Sequence, residues 1–314
     1  MVQLNKGKFQ GRDFISLNDF TAEDISQMID VAVELKAETK AGIAHQVLQG
    51  KTLAMIFTKS STRTRVAFEV GIYQLGGCGL FLSSRDIQLG RGEPIEDTAR
   101  VLSRMVNGIM IRTFSHQEVL DLASNSSVPV INGLSDYLHP SQVLADLMTI
   151  KESKGKIKGL KLTYIGDGNN VANSLLLGGT KMGMNIVIAS PQGYQPVPEI
   201  MEMARKNAAI SGGSALVLED PWKAAEDADI LYTDVWASMG QEEESEQRKK
   251  VFAAYQINQE LLNVAHSEAI VMHCLPAHKG EEITAEVMEG PQSVVFEEAE
   301  NRLHAHKAIM ALVM

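Results

Sequence analysis

The chain has 314 residues, 45% of them apolar and 22% charged, and carries a formal net charge of −10 at neutral pH. That length exceeds one typical compact core and makes two domains the starting expectation. The acidic balance argues against a broad basic face for nucleic acid, while leaving room for a local cationic pocket. No apolar run approaches the roughly 20 residues that span a bilayer, so no membrane partner is expected. There is no internal repeat and no low-complexity tract. Cys78 and Cys274 are the only cysteines and stand far apart in sequence. They do not make a secreted disulfide framework, which points to a reducing cytoplasm. The N-terminal "MVQLNKGKFQGRDF" has neither an apolar signal core nor the pattern of a transit peptide.

The first amphipathic segment, "LNDFTAEDISQMIDVAVELKAE", reads as a helix with Thr21 as its N-cap and Asp24 completing an acidic capping box. "TLAMIF" reads as a strand and Arg63–Leu75 as a helix. "GLFL", "GIMI" and "VPVI" read as further buried strands. Helical patterns at Ile95–Met105, Gln117–Ala123 and Gln142–Lys151 separate or follow them. This is a βαβ alternation, which implies a parallel sheet with helices on both faces. The charged, glycine-containing "KESKGKIKGLK" breaks the pattern and marks a boundary between a domain at 1–150 and one at 151–314. A second series follows: "LTYIGDG", a helix at Asn170–Met182, then strands at "NIVIA", "ALVL", "ILYTD" and "AIVMHCLP". The last stretch, 297–314, is helical and is expected to pack back on the first domain. The expected fold is α/β: two doubly wound parallel-sheet domains linked by helices, with the active site in the cleft between them. In such sheets ligands sit beyond the carboxyl ends of strands, and each motif below lies at such an end.

"KSSTRTRVAFE" places Ser61, Thr62, Arg63 and Thr64 where a strand meets a helix. Unpaired backbone N–H groups and the positive end of the helix dipole favour an anion there. A guanidinium adds planar contacts to phosphate oxygens. A capped helix with solvent-facing arginines fits the same letters. Arg112 ends a strand in "MIRT", and "DYLHPSQVLAD" sets His139, Pro140, Ser141 and Gln142 at a helix start. Pro140 suits the first helical position. His139 satisfies either a core hydrogen bond or, with Arg112, a polarised carbonyl oxygen. "IGDGNN" fails the G-x-G-x-x-G spacing of a dinucleotide turn, which weakens an oxidoreductase reading. Its Asn170 is either a helix cap or an amide that reads a carboxylate. Asp234 ends a strand before "ASMGQEEE", which is a solvated loop or a cover over an ammonium group held by Asp234. "VMHCLPAHKGEE" puts His273, Cys274 and His278 close in sequence, but without the paired spacing of structural zinc sites, so no metal is expected. Arg302 near the start of the last helix is a site residue or an ordinary salt-bridge partner of Glu298.

"STRTR", "HPSQ", "HCLP" and "ENR", in this order, resemble the aspartate/ornithine carbamoyltransferase family over nearly the whole chain. "DVWASMG" with "HCLP" is narrower and resembles the members that take ornithine; an aspartate-specific member would show "HPLPR". The resemblance implies carbamoyl transfer from carbamoyl phosphate to the δ-amine of L-ornithine, giving L-citrulline and phosphate, in arginine biosynthesis. Degradative members, and transferases for other amines or amino acids such as putrescine or acetylated ornithine, are the alternatives. It implies that Ser61, Thr62, Arg63 and Thr64 hold the phosphate. Arg112, His139, Pro140, Ser141 and Gln142 would surround the carbamoyl group, with Thr64 and Arg302 at its oxygen. Backbone carbonyls of Cys274 and Leu275 would take its NH₂ group. Asn170 and Met239 would read the ornithine carboxylate, Asp234 and Ser238 its α-amine, and the Cys274 side chain would lie beside the δ-amine. Gln88 would reach a neighbouring subunit's site in a homotrimer. No cofactor is implied.

Overall fold

The computed structural model describes residues 4–237 and 244–314. The chain divides into two compact units, residues 1–148 with 300–314, and residues 149–299. Each is built on a parallel sheet.

In the first unit the chain runs through α1 (Ala22–Lys40), β1 (Thr52–Phe57), α2 (Thr62–Gln74), β2 (Cys78–Ser83) and α3 (Ile95–Leu102). It continues through β3 (Gly108–Arg112), α4 (His116–Asn125) and β4 (Val130–Leu134) into α5 (Pro140–Lys154). Thr21 caps α1 as expected: its side chain accepts from the Asp24 N–H, and the Asp24 carboxylate accepts from the Thr21 N–H. Among the described residues the sheet has four strands in the order β2-β1-β3-β4. β1 leads to β2 on one side and has β3 on the other, so the direction of winding reverses between β1 and β3. The carboxyl ends of those two strands are Phe57 and Arg112, and they pair with each other.

The sequence reading of "GLFL" as a buried strand needs correction. β2 is an edge strand with Cys78 and Leu80 exposed, whereas β1, β3 and β4 are almost wholly buried. An apolar run alone does not say whether a strand has one neighbour or two. β4 is also an edge, but the N-terminal segment covers it: Phe14 bridges to Ile131 and its N–H donates to the Val130 carbonyl.

The second unit holds β5 (Lys161–Ile165), α6 (Asn170–Lys181), β6 (Asn185–Ala189), α7 (Pro198–Ser211), β7 (Ser214–Leu218) and α8 (Pro221–Ala225). β8 (Ile230–Thr233), α9 (Ser245–Phe252), α10 (Gln259–Leu262), β9 (Ile270–His273) and α11 (Ala285–Met288) follow. Its described strands run in the order β7-β6-β5-β8-β9, all parallel, with the winding reversing between β5 and β8. Ile165, Leu231, Val271 and Phe252 anchor the core on one side of this sheet.

The last helix, α12 (Val295–Val313), starts in the second unit and ends in the first. Its final ten residues are buried. A Cβ on Gly71 of α2 would meet Met310 Cε at 2.9 Å and Lys307 Cγ at 3.2 Å, so a hydrogen there permits close helix contact. Lys307 is fully buried and donates to Thr39 Oγ1 at 2.8 Å and Gln74 Oε1 at 2.9 Å. Burial lowers its pKa to about 8.

Thr21→Ala removes the hydroxyl half of the capping box and leaves the Thr21 N–H to the Asp24 carboxylate. It is expected to lower stability by about 1 kcal/mol, read as a shift of the urea midpoint with an unchanged slope.

Candidate active site

The donor side is built on the first unit. Ser61 caps α2: its hydroxyl accepts from the Thr64 N–H at 3.2 Å. Thr64 is fully buried, and its hydroxyl oxygen accepts from Arg302 Nη2 at 2.7 Å and from Arg112 Nη1 at 3.3 Å. Ser61 and Thr64 hydroxyls lie 3.2 Å apart. The turn before α2 is tied to β3, since the Thr58 N–H and Oγ1 both donate to the Arg112 carbonyl, at 3.0 and 3.2 Å. Two guanidinium groups and a helix N-terminus thus converge beyond the carboxyl ends of β1 and β3, where a doubly wound sheet takes its ligand. Arg63 is half-buried here. Arg65, the second arginine of the motif, instead pairs with Glu69 at 3.2 Å and lies over the Phe81 ring at 3.6 Å, which is the plain surface role.

α5 begins at Pro140, bringing the buried His139, Pro140, Ser141 and Gln142 to its start. Gln142 Nε2 donates to Asp146 Oδ1 at 2.8 Å, which fixes the amide. Burial, then the charges of Arg302, Arg112, His306 and Lys59, hold the His139 pKa well below that of a free histidine. A neutral imidazole beside two guanidinium groups can polarise a carbonyl without adding charge. Gln88 stands apart, exposed in a short 3₁₀ turn at Gln88–Arg91. Lys59, which the motif reading passed over, is buried with its Nζ 3.1 Å from Asp136 Oδ1.

On the second unit the motifs gather beyond β5, β8 and β9. The N-cap of α6 is Asn169, whose Oδ1 accepts from the Val171 and Ala172 N–H groups, so Asn170 is not the cap. The sequence had left that choice open; two adjacent asparagines carry the same cap preference. Asn169 Nδ2 donates to Asp234 Oδ2 at 2.9 Å, and the Val235 N–H donates to Oδ1 at 2.8 Å, so the Asp234 carboxylate is held from both sides. Ser238 and Met239 lie outside the described residues.

Cys274 is buried and is a free thiol. Its neighbour Leu275 has φ of 59°, the left-handed region that a branched side chain seldom adopts. His273 Nδ1 accepts from the Leu275 N–H at 2.9 Å, and Nε2 lies 3.0 Å from Glu282 Oε1. That arrangement fixes the tautomer with the proton on Nε2. Asp234, His273 and Cys274 bring possible metal-ligand atoms within 4.8 Å of one another. Both nitrogens of the His273 ring are already engaged, so the imidazole offers no open lone pair without giving up a partner.

Two family models cover the chain. That described as "Aspartate/ornithine carbamoyltransferase, carbamoyl-P binding domain" matches residues 12–152, and that described as "Aspartate/ornithine carbamoyltransferase, Asp/Orn binding domain" matches 158–313. The chain belongs to the aspartate/ornithine carbamoyltransferase family, as "STRTR", "HPSQ", "HCLP" and "ENR" implied. Relatives of high identity are named ornithine carbamoyltransferase. That of Thermococcus kodakarensis is 60% identical over 304 residues, 97% of this chain and 96% of the relative. A relative from Pyrococcus furiosus named "Ornithine carbamoyltransferase, anabolic" is 57% identical over 304 residues, again covering 97% and 96%. The solved Pyrococcus furiosus ornithine carbamoyltransferase superposes with a TM-score of 0.95 at 56% identity, covering 98% of each chain.

The buried neutral histidines make stability pH-dependent. His139 and His306 both have folded pKa values below the unfolded value of about 6.5. The unfolded chain therefore binds more protons as pH falls through that value, and stability falls with it. His306 stacks on Phe68 with centroids 4.1 Å apart. His306→Phe keeps a ring there and is expected to flatten the acid limb of a plot of urea-unfolding free energy against pH.

Proposed function

We propose that this chain transfers the carbamoyl group of carbamoyl phosphate to the δ-amine of L-ornithine, giving L-citrulline and phosphate, in the direction of arginine synthesis. The observation that carries the reading is the buried Thr64 hydroxyl receiving Arg112 and Arg302 at the start of α2, beside the neutral His139. Ser61, Thr62, Arg63 and Thr64 hold the phosphate through hydroxyls, guanidinium and helix N–H groups. Arg112, His139, Gln142 and Arg302 surround the carbamoyl group, with the Pro140–Ser141 turn beneath it. The Cys274 and Leu275 carbonyls accept from its NH₂.

The neutral δ-amine attacks the carbamoyl carbon. The C–N bond forms, the carbonyl pair moves onto oxygen, and the guanidinium groups and the neutral imidazole stabilise that oxyanion. The oxyanion collapses, the C–O bond to phosphate breaks, and phosphate departs with the amine proton. Phosphate is already a good leaving group, so the chemistry asks for no cofactor, and positioning supplies much of the acceleration. Asp234 binds the α-ammonium of ornithine and Asn170 reads its carboxylate. Cys274 lies beside the δ-amine, where a soft, poorly hydrating side chain favours the uncharged form.

A homotrimer fits the exposed Gln88, which would serve a neighbouring copy. It also fits exposed apolar groups on and near the β2 edge: Val66 at 51%, Tyr73 at 78% and Leu80 at 43%. The exposed free thiol of Cys78 suits a reducing cytoplasm.

Citrulline formation from ornithine, with putrescine, acetylated ornithine and aspartate as competitors for the assignment, tests the reading; turnover of any of these in preference to ornithine would overturn it. Arg63→Ala is expected to raise the carbamoyl phosphate KM by roughly tenfold or more, the loss of a hydrogen bond to a charged group, while leaving the ornithine KM within about twofold.

A further inference from the structure

Arg248 belongs to none of the motifs that identify the family, yet it is one of the most heavily engaged side chains of the second unit. It is 6% exposed. Its Nη1 donates to Asp167 Oδ2 at 2.9 Å and to the Trp236 carbonyl at 3.0 Å, and its Nε donates to Glu244 Oε2 at 3.0 Å. Its guanidinium carbon lies 5.0 Å from the centroid of the Tyr194 ring. Asp167 sits in the turn after β5, Trp236 two residues past Asp234 at the exit of β8, and Glu244 at the start of α9. One guanidinium therefore ties three separate segments together.

The contacts continue from this pair to the acceptor residues. The Asn169 N–H donates to the Asp167 carbonyl at 2.7 Å, and the Asn169 side chain donates to Asp234 at 2.9 Å. The turn itself has no slack. The Gly168 N–H donates to the Tyr194 carbonyl at 2.7 Å, and a Cβ on Gly168 would lie 2.3 Å from the Pro196 nitrogen. Asp167 is thus pinned by its backbone on one side and by Arg248 on the other, and Asn169 carries that placement to Asp234.

We propose that Arg248 and Asp167 are positioning residues for the acceptor: their buried ion pair locks the β5 turn against the exit of β8 and so aims Asp234 at the amino group of the incoming amino acid. The proposal rests on reading Asp234 as the ammonium ligand. Removing Arg248 leaves the buried Asp167 carboxylate without its counter-ion, and removing Asp167 leaves Arg248 only the exposed Glu244. The pair also titrates. Burial pushes the Asp167 pKa up to about 6, opposed by Arg248 and helped by the negative charges of Asp234 and Glu244. Glu244 and Arg248 face it from α9, Asp234 from the exit of β8 and the Tyr164 phenol from β5. As pH falls through about 6, Asp167 takes up a proton, the pair loosens, and the ornithine KM rises.

Steady-state kinetics of the full-length protein and of Arg248→Met, Asp167→Asn and Arg248→Lys, across that pH range, test this. Calorimetric titration with carbamoyl phosphate checks that the donor side is intact. Arg248→Met and Asp167→Asn are expected to raise the ornithine KM by about tenfold or more, with carbamoyl phosphate affinity unchanged. Arg248→Lys should recover part of the loss, and Asp167→Asn should abolish the acid rise in KM that remains once KM is expressed for the neutral δ-amine form of ornithine. Should Arg248→Met fail to fold, Asp167→Asn alone decides. An unchanged ornithine KM in Asp167→Asn, a loss shared equally by both substrates, or an acid rise in the KM for the neutral-amine form that persists without Asp167 would overturn the proposal. Absence of citrulline formation by the unaltered protein would instead overturn the proposed function on which it rests.

Discussion

The donor side depends on one hydroxyl oxygen. Thr64 receives Arg112 from 48 residues away and Arg302 from 238 residues away, and both contacts are buried. A lone guanidinium at that depth would be strongly unfavourable, and two of them repel each other. What makes the arrangement tenable is the neutral state of His139 and an oxygen with two lone pairs to offer; the helix N-terminus adds further positive potential. The same features suit the site to an anion, which neutralises the charge the fold has concentrated there. An acidic chain can therefore present a cationic pocket without contradiction.

The acceptor side is organised differently. Here Asp234 is placed by an amide and a backbone group, Asn169 Nδ2 and the Val235 N–H, while the Leu275 N–H fixes His273 and the Arg248 guanidinium fixes Asp167. Glu298 adds a further anchor beneath β8 and β9, accepting from the Tyr232 hydroxyl at 3.1 Å and from the His273 N–H at 2.9 Å. The left-handed conformation of Leu275 costs backbone energy, and the His273 contact is what offsets it locally. Strain of this sort is tolerated where a carbonyl must point somewhere a relaxed strand end would not place it.

Much of this was legible in the letters. Alternating apolar runs and amphipathic segments located the strands, and Thr21 with Asp24 marked a helix start that the hydrogen bonds reproduce. Strand-end motifs singled out Thr64, Arg112 and His139 as candidates, and the last helix pattern added Arg302. What stayed hidden is tertiary. "GLFL" reads like any buried strand, and only pairing shows that β2 has a single neighbour. Arg63 and Arg65 look equivalent, yet one is half-buried at the helix start and the other lies on Phe81. Arg248 sits in a charged stretch that resembles a solvated helix face, and its burial depends on Asp167, 81 positions earlier.

The ownership of α12 has a consequence for how the chain is made. Residues 300–314 belong to the first compact unit, and Met314 reaches so close to β3 that a Cβ on Gly108 would lie 3.1 Å from its Cγ. A ribosome delivers residues 149–299 before it delivers that helix. During translation the first sheet must therefore wait, with the surface that α12 covers still open to solvent, while the second unit emerges and folds as a contiguous segment. Closure of the first unit links positions nearly the whole chain apart, which is slow on loop-closure grounds, and the exposed interval is the one in which a chaperone would find an apolar target.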